Sequence, residues 1–135
     1  MKKLIICILV LVVFILPGCG KEADDNEYVD GTYTAEGDPW DHGNEDASVV
    51  IEDGKITDIT LRRLDTDGND VTENYTGQEE DGKQYPDLMQ AREDMIDDML
   101  DEQTYNVDTI AGATITADNW KLAVQRALEG ASGEE

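Results

Sequence analysis

The stretch from Ser48 to Leu61 has the sequence S-V-V-I-E-D-G-K-I-T-D-I-T-L. Two runs rich in β-branched residues flank Asp53-Gly54, a dipeptide that tolerates the positive φ angles of a tight hairpin turn. The pattern predicts a β-hairpin with arms Ser48 to Ile51 and Lys55 to Leu61. The alternation of apolar and polar residues slips between Ile56 and Ile59, which indicates a β-bulge or a strand buried on both faces in the second arm.

Further elements on either side of the hairpin complete the predicted fold. Upstream, Thr32 to Thr34 favours a strand. Downstream, Leu64 to Asp81 is polar and turn-rich, whereas Pro86 to Gln103 has apolar residues at helical spacing, with Pro86 suited to the first helical turn. A strand, a hairpin and two helices predict a single α+β domain with a small antiparallel sheet.

The second helix is predicted at Ala117 to Glu129. Thr116 is its predicted N-cap, and Gly130 is its predicted stop. The domain is therefore expected over residues 28–130, with residues 131–135 as a C-terminal tail. The helical register places one face in the core, formed by Trp120, Ala123, Val124, Ala127 and Leu128.

The N-terminal residues predict secretion and a lipid anchor. Lys2 and Lys3 precede an apolar run from Leu4 to Leu16, which is too short for an ordinary spanning helix. Pro17-Gly18-Cys19 resembles the lipobox of bacterial lipoproteins, which implies cleavage after residue 18 and a diacylglycerol thioether on Cys19. Residues 1–18 are then a signal peptide, and residues 19–27 are the lipidated cysteine and a flexible tether. The alternative is a short uncleaved anchor, and both interpretations place the domain at the outer face of the cytoplasmic membrane.

Charge and cysteine content exclude several kinds of partner and crosslink. The formal charge is −22, and removal of Lys2 and Lys3 changes it to −24, so nucleic acid and anionic headgroups are repelled. No disulfide is expected, because Cys7 lies in the signal peptide and Cys19 carries lipid. The acidic face predicted for the helix from Pro86 to Gln103 is either a solvated surface or a docking site for a basic redox partner or hydrated cations.

The junction before the second helix, Val107 to Thr116, has the sequence V-D-T-I-A-G-A-T-I-T. Gly112 permits backbone angles and close approaches that a side chain forbids, and Ala113 adds little bulk. A helix start offers unpaired N–H groups and a partial positive charge, which favour an anion such as a phosphate. The alternative is an ordinary loop with a threonine cap.

Three stretches resemble the FMN-binding domains of the sodium-pumping NADH:quinone reductase C subunit, the Rnf G subunit and lipoproteins of extracellular electron transfer. They are D-T-I-A-G-A-T from Asp108 to Thr114, D-G-T-Y-T-A-E-G-D from Asp30 to Asp38, and I-E-D-G-K-I-T-D-I from Ile51 to Ile59. The first resembles the flavinylation motif of that family, whose last residue carries FMN through a phosphoester. The resemblance implies that this residue is Thr114 here.

The same resemblance implies roles for the neighbouring residues and for a partner enzyme. A magnesium-dependent transferase would use FAD to attach FMN and release AMP. Asp108 would engage the transferase or position the loop, and Gly112 and Ala113 would let the phosphate approach. The family more often has serine where this chain has Ala111. Thr116 is a second candidate acceptor outside the matched position.

Other candidate sites carry weaker signals. Asp65 to Asp70 partly matches the start of a calcium loop but lacks its glycine and its final glutamate, so a plain turn is the alternative. His42 is the only histidine and cannot form a metal triad alone, so no metal site is expected; it could contact a flavin or simply be satisfied by Asp41 or water. Three aromatic rings could stack on a flavin, those of Trp40, Tyr85 and Trp120. The helical register of Trp120 favours a place in the core instead.

These features favour a lipid-anchored electron carrier in which FMN does the chemistry and no catalytic side chain is required. Its expected partners are the flavin transferase and redox proteins or the quinone pool. An electron-transfer flavoprotein is favoured over a stand-alone enzyme. Two other classes remain open: a reductase with non-covalent FMN, and a non-redox lipoprotein that binds cations or other ligands through its acidic surface.

Overall fold

The computed structural model of the chain describes residues 28–109 and 114–133. Three strands form the main sheet, a short second hairpin follows, and two helices complete the domain. A 3-10 turn at Thr72–Asn74 precedes the short hairpin. In chain order the elements are β1 (Gly31–Glu36), β2 (Asn44–Glu52), β3 (Lys55–Leu64), β4 (Glu79–Glu80), β5 (Lys83–Gln84), α1 (Leu88–Glu102) and α2 (Thr114–Ala131).

The predicted hairpin is confirmed as the β2–β3 pair of an antiparallel sheet with strand order β1-β2-β3. Asp53 and Gly54 have φ angles of 53° and 73°, as expected for the two central residues of a type I′ turn. Val50 pairs with Asp58 whereas Ile51 pairs with Ile56, so Thr57 is the extra residue of a bulge. The bulge lies in the second arm, and it is one of the two alternatives that the sequence left open there.

One face of the sheet packs against both helices, and the core lies between these two layers. Helix α2 packs on β1 and β2, and α1 packs on β3. Residues at alternate positions of β2 point into the core, including Val49 and Ile51. Trp120 of α2 is fully buried, as its register predicted, and its Nε1 donates to the carbonyl of Arg62 at 3.0 Å. The predicted α+β class is confirmed.

Helix α1 begins two residues later than the sequence indicated. Pro86 lies before the helix, because Asp87 is the N-cap and its carboxylate accepts a hydrogen bond from the backbone N–H of Gln90 at 2.9 Å. At the other end, Gln103 adopts a left-handed conformation, and its side-chain amide bonds both the N–H and the carbonyl of Ile56 at 2.9 Å. This amide therefore pairs with the open edge of β3 as a neighbouring strand would.

Helix α2 differs from its prediction at both ends. It already includes Thr114, so the predicted start at Ala117 is wrong and Thr116 is not its N-cap. Gly130 is not a stop, because the helix continues to Ala131, which is buried and whose carbonyl accepts from the N–H of Val29 at 2.8 Å. Tertiary contacts at each end extend the helix beyond the limits that capping residues suggested.

The segment predicted as polar and turn-rich contains the 3-10 turn, and at its end begins a short hairpin that the sequence did not predict. The β4–β5 hairpin turns at Asp81 and Gly82, whose φ angles are 52° and 73°. These values are close to those of Asp53-Gly54, so the same dipeptide was an available signal. None of the helices in the described part of the chain combines the length and apolar character needed to cross a membrane.

Candidate functional site

A cleft of about 680 Å³ lies where the start of α2 meets the β1–β2 connection, the end of β3 and the β4–β5 hairpin. It is open to solvent on one side. Its walls combine aromatic and apolar side chains with the cations of Arg63 and Lys83 and the hydroxyl groups of two threonines. The lining residues are Trp40, His42, Arg63, Tyr75, Lys83, Gln84, Tyr85, Pro86, Leu88, Thr114, Ile115 and Thr116.

The two threonines predicted as acceptors both line this cleft but differ in accessibility. Thr114 is exposed in the first turn of α2. Thr116 is 6% exposed, and its hydroxyl is hydrogen-bonded to the carboxylate of Glu45 at 3.1 Å. Asp108 is exposed and is not among the residues that line the cleft. Ala111, Gly112 and Ala113 lie outside the described residues, as does Cys19.

Two of the three aromatic residues considered for flavin stacking are in the cleft. Trp40 contacts His42 edge to face, with ring centroids 5.1 Å apart. Tyr85 lies 6.1 Å from Tyr75 between ring centroids, and the ammonium of Lys83 lies 5.2 Å from the Tyr85 ring. His42, whose role the sequence left open, is therefore part of the cleft wall and packs against an indole.

A tight turn from Trp40 to Gly43 positions the rings of Trp40 and His42. The backbones of Trp40 and Gly43 exchange hydrogen bonds of 2.8 and 3.0 Å. Gly43 has a φ of 128°, and a Cβ there would overlap the carbonyl oxygen of Leu64. Only glycine lets the turn press against the end of β3 in this way. The close approach holds Trp40 and His42 in the wall of the cleft.

A buried ion pair beneath the cleft was missed by the sequence analysis. Glu45 has no exposed surface, and one of its carboxylate oxygens lies 3.4 Å from a guanidinium nitrogen of Arg63, which is 3% exposed. The guanidinium also lies 4.3 Å from the centroid of the Trp40 ring. It donates to the carbonyls of Leu64 at 3.1 Å and His42 at 3.4 Å. Arg63 therefore joins the end of β3 to the turn.

Both members of the pair carried a sequence signal. Glu45 is in phase with Ala47, Val49 and Ile51 along β2, and Arg63 is in phase with Leu61 along β3. Extending the hairpin from Asp53-Gly54 with one bulge places Glu45 directly opposite Arg63. A charged residue at a core-facing position, opposite a residue of the other sign, indicates a buried ion pair.

The loop considered for calcium forms a turn stabilised by its first carboxylate. Asp65 accepts from the backbone N–H groups of Asp67 and Asn69, both at 2.9 Å. The hydrogen bond from the Asn69 N–H is the main reason that the pKa of Asp65 lies below its ordinary value. In the described residues, no group of three or more histidine, cysteine, aspartate or glutamate side chains is arranged to hold a metal ion.

Comparison with known families matches residues 42–129, more than half of the chain, to the FMN-binding domain. The chain belongs to this family. The matched region of the FMN-binding domain begins at His42 and includes Arg63, Tyr85 and Thr114 of the cleft. A comparison with curated proteins finds no match.

Two solved structures from clostridia have a similar fold. A crystal structure of a Clostridium perfringens protein has a TM-score of 0.63 and 25% identity over 77% of this chain and 88% of that one. A solution NMR structure of a Clostridium thermocellum protein has a TM-score of 0.52 and 23% identity over 78% and 94%. The likeness to the Clostridium thermocellum protein, at 23% identity, supports the fold and nothing further.

The cleft has chemical groups that suit FMN. The rings of Trp40 and Tyr85 suit a planar isoalloxazine, and apolar Ile115 and Pro86 extend that surface. Lys83 is an exposed cation at the cleft, suited to a phosphate or to the ring oxygens of a flavin. The cleft of this FMN-binding domain therefore fits the cofactor after which the family is named.

Proposed function

We propose that this protein is an extracytoplasmic, lipid-anchored electron carrier with FMN attached covalently to Thr114. The observation that supports it best is the placement of an exposed threonine hydroxyl in the first turn of α2, at the edge of an aromatic cleft in an FMN-binding domain. FMN would supply the chemistry by accepting and releasing electrons. The protein would hold and orient it.

Trp40, His42 and Tyr85 would contact the isoalloxazine, and Lys83 would offset negative charge on the bound cofactor. The start of α2 would add the partial positive charge of its unpaired N–H groups near the phosphate. A covalent link is useful to a protein outside the cell, because a dissociated cofactor is lost by dilution. Asp108 would lie outside the cleft and serve the transferase, in keeping with its exposure.

In the attachment reaction, a bond forms between Oγ1 of Thr114 and the phosphorus of the FMN half of FAD. The pyrophosphate bond breaks, AMP leaves, and the hydroxyl proton passes to a base of the transferase or to water. Thr116 is a poor acceptor by comparison, because its hydroxyl is buried and already bonded to Glu45. Attack from that oxygen would require the first turn of α2 to open.

Attachment is tested by mass spectrometry of protein purified from its native host. We expect the peptide that contains Thr114 to carry the mass of FMN less water, and Thr114→Val to remove it. The matched control, Thr116→Val, should still reach full labelling at Thr114 after long incubation. An unmodified Thr114 in a strain with an active transferase would refute covalent attachment. Flavin released by denaturation would then indicate a protein that binds FMN non-covalently. A colourless protein would indicate a non-redox binding role.

The proposed anchor rests on the lipobox sequence, since residues 1–27 lie outside the described residues. We expect Cys19→Ser to release the domain into the medium or to leave an uncleaved precursor. Incorporation of labelled lipid and membrane fractionation measure this. A variant that stays lipid-labelled and membrane-bound would exclude Cys19 as the anchor. Two acyl chains are needed because a single chain binds membranes only marginally.

The proposed electron partners are basic proteins that dock on the acidic face of α1. The buried face of this helix includes Met95 and Met99, so its carboxylates remain available to solvent. Stopped-flow electron exchange with such a partner should be fast at low salt and slow by about 0.1 M ionic strength, where the screening length is about 10 Å. Rates independent of salt would exclude electrostatic docking. The exposed carboxylates are Glu93, Asp94, Asp97, Asp98 and Asp101.

A further inference from the structure

Glu45 is the point at which three separate segments of the domain meet. Its carboxylate accepts from Nε1 of Trp40 at 3.2 Å, from the hydroxyl of Thr116 at 3.1 Å and from the side-chain amide of Asn119 at 2.7 Å. Arg63 supplies the compensating charge. These contacts join the β1–β2 connection, the end of β3 and the first turns of α2 through one side chain that has no exposed surface.

The contacts to α2 hold its first turns against the sheet, on the same side as the buried face of the helix. Thr116 and Asn119 are three residues apart, on the same face of the helix, and both bond Glu45. Successive residues of an α-helix are related by about 100°, so Thr114 lies roughly 200° from Thr116 and points away from the sheet. Its exposure follows from the burial of Thr116. Loss of the Glu45 contacts would therefore loosen the first turn of α2, which carries Thr114.

We propose that Glu45 is a positioning residue for flavin attachment, which holds the first turn of α2 so that the Thr114 hydroxyl meets the incoming phosphorus. This inference rests on the proposed function of Thr114. The second contact of Glu45, to the Trp40 indole, sets one aromatic wall of the same cleft. One buried carboxylate thus orients both the acceptor and a ring that the flavin would contact.

A neutral amide is a poor replacement for this carboxylate. Trp40, Thr116 and Asn119 all donate to Glu45, whereas glutamine has one acceptor oxygen and presents an N–H₂ group on its other side, from which the Thr116 hydroxyl would have to turn and accept. The guanidinium of Arg63 then keeps its buried charge without a counterion. The first turn of α2 is held by these bonds, so its geometry should relax in Glu45→Gln.

The test measures the rate of flavin transfer to the full chain by its transferase with FAD, well below the unfolding temperature of each variant. For Glu45→Gln we expect kcat to fall by about tenfold to a hundredfold, because a small misplacement of the reacting groups slows the chemical step by about that much. KM for the acceptor protein should be unchanged. Thr116→Val should fall in the same direction. Thr116→Ser keeps the hydroxyl and should restore the wild-type rate. The matched control is Glu52→Gln, exposed on the same strand.

Every result of this experiment either supports or overturns the positioning role of Glu45. A wild-type kcat in Glu45→Gln would overturn the proposal, as would a rise in KM alone, which would mean that Glu45 shapes the surface the transferase recognises. If Glu45→Gln does not fold, equal rates in Thr116→Val and Thr116→Ser would overturn it. A wild-type chain that takes no flavin on Thr114 would overturn the proposed function itself, which distinguishes the two failures.

Discussion

Removal of the buried charge pair beneath the cleft should cost a large fraction of the stability of the domain. Glu45→Gln leaves the guanidinium of Arg63 buried with carbonyl partners alone, and Arg63→Met leaves the carboxylate of Glu45 without its cation. Breaking one side of a buried ion pair typically costs about 3–5 kcal/mol. For a domain of this size, such a loss lowers Tm by roughly 15–25 °C. Both single variants should remain folded at 25 °C if the stability of the domain lies well above the lower end of the ordinary range of about 5–15 kcal/mol.

The double variant, Glu45→Gln with Arg63→Met, tests whether the two charges depend on each other. Once both charges are gone, neither leaves an uncompensated partner, so the cost should be well below the sum of the two single variants. We expect a coupling of about 2–3 kcal/mol from urea unfolding of the four proteins followed by circular dichroism. Glu52→Gln, exposed at the end of the same strand, should change stability by less than about 0.5 kcal/mol. Strict additivity, or a loss below about 1 kcal/mol in Glu45→Gln, would refute the buried-charge reasoning.

Three further predictions concern single residues outside this pair. Gly43→Ala should destabilise the domain by at least about 2 kcal/mol in urea unfolding, because its Cβ would overlap the carbonyl of Leu64 at a positive φ; an unchanged midpoint would contradict the close approach of the turn to β3. Gln103→Ala should cost about 2 kcal/mol, since the N–H and carbonyl of Ile56 lose their partner; faster amide exchange at Ile56 would confirm the cause, and wild-type protection would exclude it. The carboxyl of Asp65 should titrate by NMR below the ordinary aspartate pKa of about 3.9. Because the folded-state pKa is depressed, the stabilising effect of this carboxylate on the loop should be present above the ordinary pKa and lost as pH falls through the folded-state pKa. An ordinary pKa would show that the turn does not hold the carboxylate.

Local chemistry was sufficient to predict most of the secondary structure. The β2–β3 hairpin follows from the conformational freedom of Asp53-Gly54 and from alternating β-branched residues on either side. The bulge at Thr57 was visible as a slip in that alternation. The core face of α2, including Trp120, was visible as helical periodicity. Such features depend on residues close together in the chain, which is why the sequence alone determined them.

The limits of the helices and the floor of the cleft depend on residues far apart in the chain. Thr116 lies on the buried face of α2 and is bonded to Glu45, 71 positions earlier, so the residue predicted as an N-cap is a buried helical residue. The motif identified Thr114 as the candidate acceptor, but only the packing of α2 against β2 makes that hydroxyl exposed. Composition and periodicity describe one segment at a time, whereas a buried carboxylate acquires its partners only when the sheet and the helix come together.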